Sequence, residues 1–171
     1  ELHHPIEMQN YLFDQLVKVG QNYDLKLVGA RAQNWLRQEK SYRAFGTELG
    51  RDATPLEAGL DRFVDLSKDF FGKESMVEHG ITTKCVTLLI DGPKDADPWG
   101  SEAIYLDGKR VGRLTSGGYS VAFSQSIGMG YVKPDLAILG QKLQVKMFDK
   151  LWDAVITKDS PYDPSNTNIR I

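Results

Sequence analysis

The run WLRQEKSYRAFGTELGRDATPLEAGL, residues 35–60, decides how the rest of the chain is read. It opens as the end of a helix, with Ala32, Trp35, Leu36 and Glu39 at helical spacing. It then loses periodicity and is punctuated by Gly46, Gly50, Pro55 and Gly59. Compact domains rarely carry so much irregular chain unless it binds a ligand or packs across a domain junction. Charged Arg37, Glu39, Lys40 and Arg43 alternate with Tyr42 and Phe45, and a Thr-Pro turn leads into Leu56 and Leu60. From the residues alone two readings stay open: a charged helix end followed by a surface loop, or a segment with a binding role.

On the amino-terminal side, Met8, Leu12, Leu16 and Val19 share one face of a predicted helix over 6–19, which Gly20 ends. Glu1 stands at the start of a strand-like stretch, Leu25–Val28 reads as a short strand, and a second helix is predicted over 30–39. A sheet built from these pieces needs partner strands from outside this sequence, or else the pieces form a small satellite layer. On the carboxy-terminal side, residues 62–66 read as a strand, and 69–74 lead into a short helix ending near His79. From Ile81 onward the period changes to two, which predicts strands at 83–90, 102–106, 110–115, 127–132, 142–148 and 151–157. Asp107-Gly108 is the clearest hairpin turn. Several short antiparallel strands so connected predict a small barrel or sandwich, with a boundary near residues 74–82.

The 171 residues carry 21 Lys and Arg against 23 Asp and Glu, so no basic surplus marks a nucleic-acid surface. No apolar run approaches the roughly 20 residues of a membrane span. Cys85, the single cysteine, excludes an internal disulfide and fits a reducing compartment. It lies in an alternating strand with no His or Lys placed to lower its pKa, so it reads as a packed residue. His3 and His4 would face opposite sides of an extended chain, and His79-Gly80 fits a helix C-terminus, so no metal site is expected. Ser116-Gly117-Gly118 reads as a hairpin end or bulge, lacking the Lys and helix of a phosphate loop. No Gly-x-Ser-x-Gly elbow occurs, and the Gly-x-Gly near Gly128 lies in a strand, which argues against dinucleotide binding.

Several blocks nevertheless resemble the glycine-cleavage T-protein (aminomethyltransferase) family, in that family's order and spacing. They are Gly29-Ala30-Arg31, Leu36–Lys40, Tyr42–Leu49, Thr54–Leu60, Asp69–Glu74, Val111–Gly117 and Gly128–Val132. The resemblance covers nearly the whole chain and corresponds to the carboxy-terminal half of the transferase unit. It implies an α+β fold: residues 1–75 end an α/β folate-binding layer, and 76–171 form a small antiparallel β-barrel. It also implies a tetrahydrofolate site in which a carboxylate and a guanidinium hold the pterin, matched here by Glu1 and Arg31. A carboxylate can accept two N–H bonds from an amino-pyrimidine edge, and charge-assisted bonds are the strong ones. A family tyrosine beyond the Pro-x-x-Pro motif is replaced: after Pro161–Asn166 comes Thr167. The family's catalytic aspartate lies outside this chain, so no catalytic residue is assigned.

Within the family, residues 36–46 most resemble versions fused behind an FAD-dependent amine dehydrogenase, the dimethylglycine and sarcosine dehydrogenases. There an iminium carbon is captured as 5,10-methylenetetrahydrofolate. No flavin motif is present, so FAD would come from an amino-terminal domain or companion chain, which is also the expected partner. A stand-alone glycine-cleavage aminomethyltransferase is the alternative within the family. A non-catalytic folate-binding or interaction module is the alternative outside catalysis. The iron–sulfur-assembly signature of such relatives is absent, since the region reads Lys68-Asp69-Phe70-Phe71-Gly72-Lys73-Glu74. Bacterial cytoplasm and mitochondrial matrix fit the chain equally.

Overall fold

Strand β1, Lys84–Ile90, alternates Val86, Leu88 and Ile90 with Cys85, Thr87 and Leu89, and a two-residue period puts the two sets on opposite faces. The first set faces inward. Five further strands complete its surroundings: β2 (Ala103–Leu106), β3 (Lys109–Ser120), β4 (Gln125–Val132), β5 (Lys142–Met147) and β6 (Lys150–Thr157). They close into a barrel in the order β1-β4-β3-β2-β5-β6, every neighbour antiparallel. This is a computed structural model, and it describes residues 1–93 and 96–170.

The barrel core is Val86, Leu88, Ile90, Ile104, Leu114, Val132, Leu143, Val145, Met147, Ala154 and Ile156. Each fully buried Leu or Ile side chain there contributes about 1.5–3 kcal/mol relative to exposure. All six predicted strands form, with small shifts of their ends. The strand predicted over 110–115 runs on to Ser120, with a register shift between Leu114 and Ser116. The β2–β3 turn is Asp107-Gly108, both at positive φ (49° and 74°), the conformation that a tight hairpin requires.

Two compact units are present, Glu1–Ala30 and Arg31–Ile171. In the first, a 3-10 turn at Ile6–Met8 leads into α1, Gln9–Gly20, close to the predicted helix. Leu25–Val28 and the Glu1 stretch belong to no strand, because no other described segment pairs with them. The predicted strand over 62–66 is likewise replaced. Asp61–Phe63 makes a 3-10 turn, held by Phe63 N–H to Leu60 O and Val64 N–H to Asp61 O. Local bonds prevail there because no neighbouring strand offers a ladder.

In the second unit, α2 (Ala30–Glu39) and α3 (Lys73–His79) flank the organising segment. α2 lies across β3 by a stripe that is mostly polar. Gln38 Nε2 donates to Gly117 O (3.0 Å), and Ser120 Oγ donates to Glu39 Oε1 (2.5 Å). Leu36, placed on the apolar side by spacing, is exposed. The segment after α2 covers the outer face of β1: Ser41 Oγ meets Thr87 Oγ1 at 2.8 Å, and Cys85 N–H donates to Glu57 O at 2.8 Å. β1 is therefore covered on both faces over most of its length.

Candidate functional site

Two buried carboxylates hold the organising segment in place. Glu48 accepts from Arg37 Nη1 (2.8 Å), Ala44 N–H (3.0 Å), Thr47 Oγ1 (2.8 Å), Thr115 Oγ1 (2.7 Å) and Ser116 Oγ. Burial opposes its charge, yet the donors of Ser116, Thr115, Ala44 and Thr47 hold its carboxyl below the ordinary glutamate value. Glu57 accepts through one oxygen from Thr54 and through the other from Thr82 and Thr83. Its pKa falls from 4.5 to about 2 because those donors outweigh its desolvation. The irregular chain is thus a hydrogen-bonded clamp, and its acids serve as anchors.

The carboxy-terminal motif closes the same end. Lys40 Nζ donates to Tyr162 O (3.2 Å), Asp163 O (2.6 Å) and Asn166 Oδ1 (2.7 Å). Thr167, at the place of the family tyrosine, donates its N–H to Asp163 Oδ1. Cys85 is buried, and burial pushes its thiol up to about 12 against the pull of Arg43, which fits a packed residue. Among the described residues no group of three His, Cys, Asp or Glu side chains could hold a metal ion.

Arg31 stands in the first turn of α2 with a side chain 54% exposed. Its guanidinium carbon lies 5.3 Å from the ring centroid of Trp35, one turn further on, and 5.1 Å from that of Trp99. Its Nη2 donates to Asp97 Oδ1 at 2.7 Å. Asp97 and Trp99 come from the β1–β2 connection. With Asn34 and Gly117 these residues line a pocket of about 240 Å³. The approach is close because β3 carries glycine there: a Cβ on Gly118 would lie 2.1 Å from Trp35 Cδ1, and one on Gly117 2.6 Å from Pro98 Cβ. This supplies a reason for Gly117-Gly118 that spacing alone did not reveal.

A guanidinium carries five N–H donors in one plane. With indoles over it at cation–π distance and one terminal nitrogen on Asp97, its remaining edge presents in-plane donors to a flat acceptor. Trp99 is 76% exposed and offers a ring face beside that edge. A pocket of this size accommodates part of a drug-sized molecule. The larger depression, about 840 Å³ and lined by residues such as Leu89, Lys142, Gln144 and Asp153, lies on the barrel wall. There Gln144 and Asp153 already pair with one another at 3.1 Å, so its volume does not indicate chemistry. Glu1, in the other unit, is exposed, with His3 Nε2 3.5 Å from its carboxylate. Asp97 and Trp99 were absent from the residues singled out by sequence, because their convergence on Arg31 depends on how the β1–β2 connection lies, and Trp35 was read only as part of the helical spacing.

Comparison with known proteins gives concordant results. The GCVT N-terminal domain model matches residues 1–68, and the Glycine cleavage T-protein C-terminal barrel domain model matches residues 84–163. Mitochondrial dimethylglycine dehydrogenase from Homo sapiens is 39% identical over 166 residues, covering 93% of this chain and 19% of that protein. An aminomethyltransferase from Caldanaerobacter subterraneus subsp. tengcongensis is 31% identical over 166 residues, covering 95% of this chain and 44% of that protein. The chain therefore spans about a fifth of the first relative and under half of the second. The crystal structure of the glycine cleavage system aminomethyltransferase T from Bartonella henselae superposes with a TM-score of 0.78 at 22% identity. It covers 94% of this chain and 45% of that one, a likeness of fold.

Proposed function

Since the chain belongs to the glycine cleavage T-protein family, we propose that it supplies part of the reduced-folate site of a one-carbon transferase. The single observation that carries this reading is Arg31, which lines a small pocket with its guanidinium at cation–π distance from two indoles. In this reading Arg31 bonds the pterin ring, Glu1 supplies the complementary carboxylate, and Trp99 offers a stacking surface. Residues 1–75 belong to the folate-binding domain and 76–171 to the barrel domain. Holding the folate in one orientation contributes to rate by proximity.

The preferred parent is a dimethylglycine or sarcosine dehydrogenase-like protein that forms 5,10-methylenetetrahydrofolate. The 39% identity to dimethylglycine dehydrogenase supports that parent. The acid–base aspartate and any FAD then belong to another portion of the enzyme or to a companion chain, in bacterial cytoplasm or mitochondrial matrix. A stand-alone aminomethyltransferase is the second reading, favoured by the match over 95% of this chain to such an enzyme.

The test is a titration of the protein with 5-formyltetrahydrofolate, following emission from Trp35 and Trp99. Saturable binding that weakens at least about tenfold in Arg31→Ala is expected, the order of one lost charge-assisted bond. No binding by the folded protein refutes the reading.

A further inference from the structure

We propose that Asp97 and Trp99 are positioning residues that make the Arg31 site select a neutral flat ring over a carboxylate. The inference rests on the folate reading above and adds to it the residues that make Arg31 take the ring rather than the carboxylate-bearing tail.

An isolated arginine in a pocket attracts carboxylates, and the folate molecule has a carboxylate-bearing tail as well as a ring. Arg31 is not isolated. Asp97 sits 2.7 Å from its Nη2 with a side chain only 15% exposed, so the guanidinium charge is balanced at the inner edge of the pocket. The pocket's other named walls are Asn34, Trp35, Pro98, Trp99 and Gly117, none of them charged. A carboxylate arriving at the outer edge of Arg31 meets the attraction of the guanidinium and, within a few ångströms, the repulsion of Asp97. The two oppose one another, and the carboxylate gives up its hydration for little return. A neutral ring edge with a carbonyl and ring nitrogens accepts the same N–H groups without that repulsion.

Trp35 and Trp99 supply the second half of the selection. With two indoles at cation–π distance from the guanidinium, 5.3 and 5.1 Å to the ring centroids, ring faces are already occupied with its charge and acceptors are directed to its N–H edge. Trp35 is fixed by its place on α2, against Gly118 of β3, and edge-on to Tyr119 at 6.4 Å between centroids. Trp99 is largely exposed and is held by the same connection that carries Asp97. The neutralising group and the outer indole therefore arrive together, two residues apart on one loop.

The experiment measures three probes on the full protein: 5-formyltetrahydrofolate, 6-methyltetrahydropterin (the ring without a tail) and p-aminobenzoylglutamate (the tail without a ring). In the wild type the pterin should displace the folate, with affinity changing less than about twofold between low and moderate salt, while the tail fails to compete. Asp97→Asn keeps an acceptor oxygen for Arg31 but removes the charge. It should raise affinity for the tail at least about tenfold, in a salt-dependent way, and leave ring affinity within about threefold. Trp99→Ala should weaken the ring at least about tenfold, with Trp99→Phe recovering most of it. These selectivity and salt readouts do not move if Asp97 and Trp99 merely support the loop. If the tail binds the wild type as well as the ring does, or if Asp97→Asn leaves the ratio unchanged, this inference is wrong while the folate reading stands. If the wild type binds no reduced folate, both fall.

Discussion

Replacing Glu57 by Gln tests the clamp that shapes the organising segment. Thr54 donates its N–H to Glu57 Oε2 at 2.9 Å, and Glu57 returns its own N–H to Thr54 Oγ1 at 3.2 Å, the reciprocal pattern of a capping box. The other oxygen takes Thr82 N–H (2.9 Å), Thr82 Oγ1 (2.7 Å) and Thr83 N–H (3.1 Å), joining the turn to the lead-in of β1. Glu57→Gln puts an NH2 group where donors converge, so it loses acceptors and creates donor–donor conflict. A carboxyl whose pKa falls from 4.5 unfolded to about 2 folded contributes about 3 kcal/mol at neutral pH. Because the folded value is the lower one, this stability is complete above about pH 4.5 and is lost as pH falls toward 2. At a few degrees per kcal/mol, the variant should melt about 10 °C lower at pH 7. Its unfolding free energy should also fall less steeply than the wild type's from pH 5 to 2. Urea and thermal unfolding followed by circular dichroism measure both. A loss below about 1 kcal/mol at pH 7 refutes the reasoning, as do identical pH slopes.

Three further outcomes are expected. Glu48→Ala strips Arg37 Nη1, Ala44 N–H, Thr47 and Thr115 of a shared acceptor and should cost about 3–5 kcal/mol by urea unfolding. Gly118→Ala drives a methyl into the Trp35 indole; it should shift tryptophan emission and weaken folate binding while the barrel's circular dichroism stays intact. The Cys85 thiol, raised to about 12 by burial, should react with a disulfide reagent at pH 8 more than about a hundredfold slower in the native than in the urea-unfolded protein.

The barrel was open to sequence reasoning because its information is local. Alternation in 142–147 and 151–157 states which face is buried, and Asp107-Gly108 states where the chain turns. Misreadings arose where a short apolar run lacks a partner. Residues 62–66 read like a strand, but Phe63 and Val64 close hydrogen bonds onto Leu60 and Asp61. The organising segment was recognised as unusual, yet Glu39, Glu48 and Glu57 could not be identified as buried anchors, because their donors lie as far as 83 residues away. Thr54-x-x-Glu57 was the one local sign of an anchor. Arg31 came from a family likeness, whereas its companions Asp97 and Trp99 depend on the course of the β1–β2 connection. Gly117-Gly118 marks where that connection and α2 press on the barrel.

The most direct measurement is a crystal structure of the protein with 5-formyltetrahydrofolate. The account predicts the pterin ring beside Trp99 and within hydrogen-bond distance of the Arg31 guanidinium, with Asp97 still bonded to Nη2. A folate bound elsewhere, or bound with its glutamate carboxylate on Arg31, would contradict it.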